Sequence, residues 1–142
     1  MNKEFVPYEQ ALALKELGFD EDCLGRYEGK IKSIFKPLVL EFTFANLPRV
    51  ENKVNYPNYP YQDVEAPLYQ QAFRWFREKY KLHSKIDIQD VELNFYCYDI
   101  LEVKEGRYNN DLHIDMNFKS YEEAELACLK QLIKIVKNEK HI

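Results

Sequence analysis

The stretch APLYQQAFRWFREKYKLH, residues 66–83, places the chain's single tryptophan, two phenylalanines and two arginines in one short segment. Pro67 suits the first turn of a helix, where the missing N–H of proline costs nothing. Beyond Pro67, apolar residues recur at the spacing of an amphipathic helix, namely Tyr69, Ala72, Phe73, Phe76 and Tyr80. The pattern predicts a helix over residues 67–80.

The two arginines of this helix distinguish between two interpretations of its aromatic residues. A surface that recognises nucleic-acid bases needs aromatic rings and guanidinium groups side by side. Arg74 and Arg77 instead fall opposite the aromatic stripe. We therefore expect the rings to be core residues, and Arg74 and Arg77 on the outer face to be candidate partner-binding residues.

Two further helices are predicted, one near each end of the sequence. Residues 7–17 end at Gly18 and Phe19, a pair typical of a Schellman motif in which Phe19 folds back on Leu14. Residues 120–137 begin with Ser120, and Glu123 follows three positions later as in a capping box.

Alternating apolar and polar residues predict strands between these helices. The predicted strands are residues 37–44, 81–88, 91–103 and 111–118, with a turn at 104–110 and an edge strand or hairpin within 24–34. In the strand over 111–118, Leu112, Ile114, Met116 and Phe118 form the apolar face, and we expect the opposite face to meet water or a partner.

These elements predict an α+β fold in a single domain spanning residues 1–142. We expect one antiparallel sheet of four to five strands, with the helices over 67–80 and 120–137 packed on one face. The helix over 7–17 is a short N-terminal addition.

Residues 45–66 contain three prolines, four asparagines and three tyrosines without any sustained period. A structureless loop of this length is unusual in a compact domain and often carries function. Prolines at 57 and 60 favour an extended backbone that would project Tyr56, Tyr59 and Tyr61 outward. We therefore predict that these three tyrosines bind a partner.

The composition limits the classes of function. Hydrophobic residues make up 46% of the 142 residues and the formal net charge is -4, which indicates a globular, soluble chain without a generally basic surface. Three cysteines lack metal-finger spacing, and no segment is apolar for long enough to span a bilayer. We expect a cytoplasmic protein, bacterial or in an infected host, without a cofactor.

The strings QAFRWFREKY and SYEEAELACLKQLIKIV, preceded by FVPYEQALALKELGFDE, resemble a group of short uncharacterised proteins. These proteins occur in Bacteroides-like bacteria and in their phages and mobile elements. The resemblance covers the first twenty or so residues and most of residues 66–137. It implies a phage or mobile-element origin and contributes no catalytic residue.

In the strand over 91–103, Asp99 is the one polar residue on the predicted apolar face, which comprises Val91, Leu93, Phe95, Cys97, Leu101 and Val103. A buried carboxylate there would have a raised pKa, as acid–base sites often do. The alternative, which we favour, is a bulge or bend at Tyr98–Asp99 that returns the side chain to water.

A second polar cluster, Asp111, His113 and Asp115, shares one face of the last predicted strand. The cluster is a weak candidate for a metal site or a His–carboxylate pair, because solvated strand faces commonly carry such residues and no fourth ligand is identifiable. Motifs of nucleotide-binding loops and of serine hydrolases are missing from the sequence.

Three hypotheses about function follow. The first is a non-enzymatic binding or regulatory protein that contacts a host or phage protein. The second is a nucleic-acid-binding module, since residues 67–137 have the α-β-β-β-α order of double-stranded-RNA-binding domains and carry Arg74, Arg77, Lys79, Lys81 and Lys85. The acidic Glu122 and Glu123 count against it. The third is a small enzyme or metal protein around Asp99 and His113.

Overall fold

The computed structural model describes residues 2–27, 40–42, 63–105 and 107–140. A 3-10 turn at Asn2–Glu4 precedes the first helix. Within these residues lie three helices, α1 (Tyr8–Glu16), α2 (Tyr69–Tyr80) and α3 (Tyr121–Lys140). The same residues form six strands, β1 (Gly25–Tyr27), β2 (Leu40–Phe42), β3 (Val64–Ala66), β4 (Leu82–Asp90), β5 (Phe95–Lys104) and β6 (Arg107–Phe118).

The predicted α+β class is confirmed, and every strand pairing among the described residues is antiparallel. The strands form two sheets of three, in the orders β2-β1-β3 and β4-β5-β6, where the sequence analysis expected one sheet of four to five. Contacts divide the chain into two compact units, Met1–Leu68 and Tyr69–Ile142.

In the first unit, α1 ends in the predicted Schellman motif. Gly18 has a φ of 101°, and its N–H donates to the Lys15 carbonyl at 3.0 Å. The N–H of Phe19 donates to the Leu14 carbonyl at 2.9 Å, and both side chains are buried. This pair of bonds satisfies carbonyls at the helix end and directs the chain back over the core.

The short sheet of the first unit differs from the prediction in two ways. β1 lies between β2 and β3, so the segment predicted as an edge strand or hairpin contains a central strand. Val64–Ala66 is the strand β3, although the sequence analysis placed it in the long loop. This strand has only two alternating apolar residues, Val64 and Ala66, and two residues are too few to establish the period of a strand. Residues 45–62 lie outside the described part of the chain.

In the second unit, α2 is the core helix that its periodicity predicts. Tyr69, Ala72, Trp75 and Phe76 are buried, and Phe73 is partly buried. The Trp75 and Phe76 rings meet edge to face with centroids 5.0 Å apart, and Arg74 and Arg77 are exposed. The interpretation of the aromatic stripe as core is therefore confirmed.

The helix α3 starts at the predicted cap. Ser120 Oγ accepts the N–H of Glu123 at 3.1 Å, and Glu123 Oε2 accepts the N–H of Lys119 at 3.1 Å. The helix packs on all three strands of the second sheet and contacts α2, which packs on β4. Both main helices therefore cover one face of the sheet, as expected.

The helix-covered face of β5 is the opposite of the predicted one. Tyr98 and Ile100 are buried, whereas Cys97, Asp99 and Leu101 are only partly buried. β5 carries apolar residues at both parities, so alternation alone did not identify the core side. At the start of β4, Leu82 and Ser84 lie on the same side of the sheet as these buried residues, since they pair in register with Glu102 and Ile100.

The position of Asp99 outside the core follows from which face of β5 is buried, and it does not require the predicted bulge in β5. It pairs in register with Lys85 on one side and Ile114 on the other. Its parity puts it on the face that α2 and α3 do not cover, where a carboxylate keeps contact with water. The prediction that Asp99 stays out of the core holds, but the bulge at Tyr98–Asp99 was the wrong reason.

Candidate partner-binding surface

The β4–β5 hairpin and the end of β6 meet at one end of the second sheet. Ile88 pairs with Tyr96, which pairs in turn with Phe118. In-register residues of neighbouring strands project on the same side of a sheet. These three therefore form the last row of the helix-covered face, and the hairpin turn projects beyond them.

The hairpin turn, residues 91–94, is held by Asp90 and Asn94. Asp90 Oδ1 accepts the N–H groups of Glu92 at 2.9 Å and Leu93 at 3.0 Å, as in an Asx turn. Asn94 has a φ of 57°, a conformation that asparagine tolerates better than most residues. The turn leaves Val91 82% exposed and Leu93 65% exposed. A defined backbone therefore presents two aliphatic side chains to solvent.

A bulge in β6 lies beside this turn. The pairing with β5 shifts between Phe118 and Asp115, and Asn117 has a φ of 71°. Gln89 and Asn117 exchange two hydrogen bonds, because the Gln89 amide donates to Asn117 Oδ1 at 2.9 Å and the Asn117 N–H donates to Gln89 Oε1 at 2.7 Å. The pair ties the two outer strands together across β5, next to the exposed side chain of Met116.

The start of α3 completes this end of the sheet. The Tyr121 ring meets the Tyr96 ring edge to face at 6.0 Å. Burial of one side of the ring, together with the charge of Glu125, raises the pKa of Tyr121. The other side of the ring remains in contact with water, since Tyr121 is 45% exposed.

We call this region the hairpin-end surface and define it by its exposed apolar residues, Ile88, Val91, Leu93 and Tyr121. Seven large apolar residues are exposed in the described part of the chain, and the remaining three are Leu24, Ile114 and Met116. Single exposed apolar residues are normal on a protein surface, but a concentration of them at one site marks an interaction surface.

Acidic residues are concentrated in the segments that form the hairpin-end surface. Residues 86–96 and 115–125 together hold seven carboxylates and one lysine, and Asp87 among them is paired with Lys85. Glu92 is exposed in the turn, and Glu122 and Glu123 are exposed in the first turn of α3. The site thus combines apolar contact area with negative charge.

Two polar side chains of β6 were expected to face water, but they lie on the other side of the sheet. His113 pairs with Ile100 and Asp115 with Tyr98, so both are on the side of the sheet that faces the helices. His113 Nδ1 is 3.4 Å from Gln131 Nε2 of α3. Ile114 and Met116, predicted to be core residues, are about half exposed, because β6 is an outer strand with irregular pairing.

Among the side chains that the structure describes, His113 and Asp115 do not belong to a group that could hold a metal ion. Over residues 2–27, 40–42, 63–105 and 107–140, no group of three His, Cys, Asp or Glu side chains is placed to hold a metal ion. The side chain of Asp111 lies outside the described part of the structure.

The other predicted partner-binding residues fall into two groups. Arg74 and Arg77 are exposed on α2, as expected. Near them, Lys79 Nζ lies 5.0 Å from the centroid of the Trp75 ring, a cation–π contact. Tyr56, Tyr59 and Tyr61 lie outside the described residues, so their predicted binding role stays a prediction.

On the face of the sheet that the helices leave uncovered, Lys85 and Asp87 form an ion pair. The hydrogen bond between them raises the pKa of Lys85 and lowers that of Asp87. Under the disfavoured nucleic-acid hypothesis, Lys85 is one of the basic residues that would contact the ligand. Its charge is instead balanced within the strand.

The hairpin-end surface was not apparent from the sequence pattern. Val91 and Leu93 were predicted on the apolar face of a strand over 91–103, but both lie in the turn. A local signal was present, since Asp90 and Asn94 bracket these residues and both are turn formers. The apolar pair in between concealed it.

No family model, curated protein or solved structure matches the chain. Within the described ranges, the structure contains no helix that is long and apolar enough to cross a membrane.

Proposed function

We propose that this chain is a non-enzymatic binding protein that acts by docking a partner protein on the hairpin-end surface. The observation that carries the proposal is the presence of four exposed apolar side chains at one end of the second sheet. One of them, Tyr121, is aromatic, and aromatic residues are enriched in protein interfaces.

The backbone under this surface supports the same function. The Asx turn at Asp90 and the paired amides of Gln89 and Asn117 fix the turn and the bulge before any partner arrives. A surface that is ordered in advance loses less conformational entropy on binding, which favours affinity.

The test is affinity capture from bacterial lysate with the double variant Val91→Ser, Leu93→Ser. Removing two aliphatic anchors from an interface should cost about 2 kcal/mol or more, which lowers affinity by roughly thirtyfold. Captured proteins are compared by mass spectrometry with those captured by the unaltered chain.

Leu24→Ser is the matched control, since Leu24 is 57% exposed and lies in the first unit. A protein captured by the unaltered chain and by Leu24→Ser, but lost with the double variant, supports the proposal. Capture that is equal for all three chains contradicts it.

We further propose that the partner is a host or phage protein met in the bacterial cytoplasm. The support is the resemblance of the helical segments to proteins of phages and mobile elements. Expression of the chain during phage infection, followed by the same capture, would show whether the partner comes from host or phage.

A further inference from the structure

The second unit has opposite charge at its two ends. The segments that form the hairpin end, residues 86–96 and 115–125, carry seven carboxylates, of which Asp87 is paired with Lys85. The last stretch of α3 carries Lys130, Lys134, Lys137 and Lys140, with Glu139 as its one acid.

The course of α3 across the sheet shows that these charges lie far apart. Its first residue, Tyr121, contacts Tyr96 in the last row of the hairpin end. Further along, Gln131 contacts His113, which pairs with Ile100 in the middle of the sheet. The helix therefore runs away from the hairpin end, and its last turn lies beyond the middle row. At 1.5 Å per residue, Lys140 lies about 28 Å along the helix from Tyr121.

This polarity determines what the hairpin-end surface can bind. A two-fold dimer through the surface would bring its carboxylates face to face, since an isologous interface uses the same patch twice. Nucleic acid would place phosphates against the same carboxylates. A partner with apolar side chains and positive charge avoids both conflicts, because complementary charge steers association and suppresses wrong partners.

We propose that the hairpin-end surface recognises a basic amphipathic segment of the partner protein. Its apolar face packs on Ile88, Val91, Leu93 and Tyr121. Its lysines or arginines lie against the bordering carboxylates, which include Glu92 and Glu122. This proposal rests on the proposed function and specifies the chemistry of the partner.

The probe is a set of labelled synthetic peptides of roughly 18 residues, long enough for an amphipathic helix. The first contains leucines at helical spacing and lysines elsewhere. In the second peptide glutamates replace the lysines, and in the third serines replace the leucines. Fluorescence anisotropy at about 50 mM salt measures binding to the full chain, because low salt preserves the electrostatic contribution.

We expect the three peptides to differ in affinity for the chain. The Leu/Lys peptide should bind at least about tenfold more tightly than either of the other two, because each of those lacks one of the two contributions. Salt at about 500 mM should weaken its binding, since exposed charge pairs are screened. Equal binding of the Leu/Lys and Leu/Glu peptides, or binding of neither, would overturn the proposal.

Protein variants then locate the site. The double variant Glu92→Gln, Glu122→Gln should weaken binding of the Leu/Lys peptide by about fivefold or more. The control double variant Glu78→Gln, Glu139→Gln removes the same charge elsewhere and should have little effect on this binding. Val91→Ser with Leu93→Ser should also weaken it, and Leu24→Ser should not. Binding that is insensitive to both hairpin-end pairs places the site elsewhere and contradicts the proposal.

Two further measurements separate this proposal from its alternatives. Sedimentation that shows a dimer lost on Leu93→Ser would identify a second copy of the chain as the occupant, against the proposal. If lysate capture depends on Leu93 but the Leu/Lys peptide binds no better than the Leu/Glu peptide, the docking function stands and the basic partner is wrong. If capture is independent of Leu93, the proposed function itself fails.

Discussion

Ile100 and Ile88 are the same kind of residue on the same side of the same sheet. Ile100, in the middle of β5, is fully buried, whereas Ile88, near the end of β4, is 52% exposed. The register between β4 and β5 is continuous from Leu82 to Ile88, so both isoleucines point to the side that the helices cover.

The difference comes from what lies above each residue. The middle of the sheet is covered by α2 and α3, and at the hairpin end α3 has only begun, at Tyr121. Apolar surface in the middle therefore stabilises the fold, while apolar surface at the hairpin end remains in water. The same sheet thus provides a core and a surface suited to a partner.

The largest expected effect is in the core under α2. Phe76 is fully buried and contacts the rings of Trp75 and Tyr80, so Phe76→Ala should lower the free energy of unfolding by about 3–5 kcal/mol. Urea denaturation measures the loss. Arg77→Ala, on the exposed side of the same helix, should change it by about 0.5 kcal/mol or less. Similar losses for both variants would mean that the aromatic stripe is not core.

The isoleucine pair gives the next largest effect. Ile100→Ala should cost about 2–4 kcal/mol, because it leaves a cavity beneath α3. Ile88→Ala should cost less than about 1 kcal/mol, since half of its side chain is already in water. Both values come from urea denaturation monitored by tryptophan fluorescence. If the two substitutions cost the same, the contrast between the middle and the end of the sheet is wrong.

Alkaline pH should weaken the covered middle. Burial raises the pKa of Tyr98 from 10.0 to about 12 and that of Cys128 from 9.0 to about 12. In the unfolded chain both groups lose their protons at lower pH, so rising pH favours unfolding. The stabilisation from the neutral groups is complete below pH 9 and is lost as pH rises towards 12.

Urea denaturation across this pH range measures the slope. Tyr98→Phe should remove on the order of 2 kcal/mol of the fall between pH 10 and 12, because phenylalanine has no proton to lose. An unchanged slope in this variant would mean that Tyr98 is not held in its neutral form by burial.

The smallest expected effect concerns the turn that presents Val91 and Leu93. Asp90→Ala removes the acceptor of two backbone N–H groups and should cost about 1 kcal/mol, as the loss of a cap does. Asp90→Asn keeps an acceptor and should lose less. Amide hydrogen exchange of residues 91–94 should accelerate in Asp90→Ala alone. Exchange that is equally fast in the unaltered chain would show that the turn is not ordered in advance.

Helices were predictable from the sequence because their signals are local and repeated. The stripe of α2, the Schellman end at Gly18 and the Ser120 cap each lie within a few residues, and each is present in the structure. Three-residue strands such as β3 are too short to establish a period.

The candidate surface could not be derived from the sequence in the same way. β5 is apolar at both parities, so the choice of its buried face depends on where α3 packs, which is a tertiary property. The bulge at Asn117 depends likewise on the pairing of Gln89 across the sheet. The exposed aliphatic residues at the hairpin end can be recognised as a group only when the buried face of β5 is known from the structure.

The central claim is that the partner meets the hairpin end rather than the arginine-bearing face of α2. A photo-crosslinking amino acid introduced at Leu93, and separately at Arg77, tests it most directly in living cells, because both positions are exposed and neither change should unfold the chain. We predict a discrete crosslinked adduct from position 93 and none from position 77. An adduct from position 77, with none from position 93, would contradict the account.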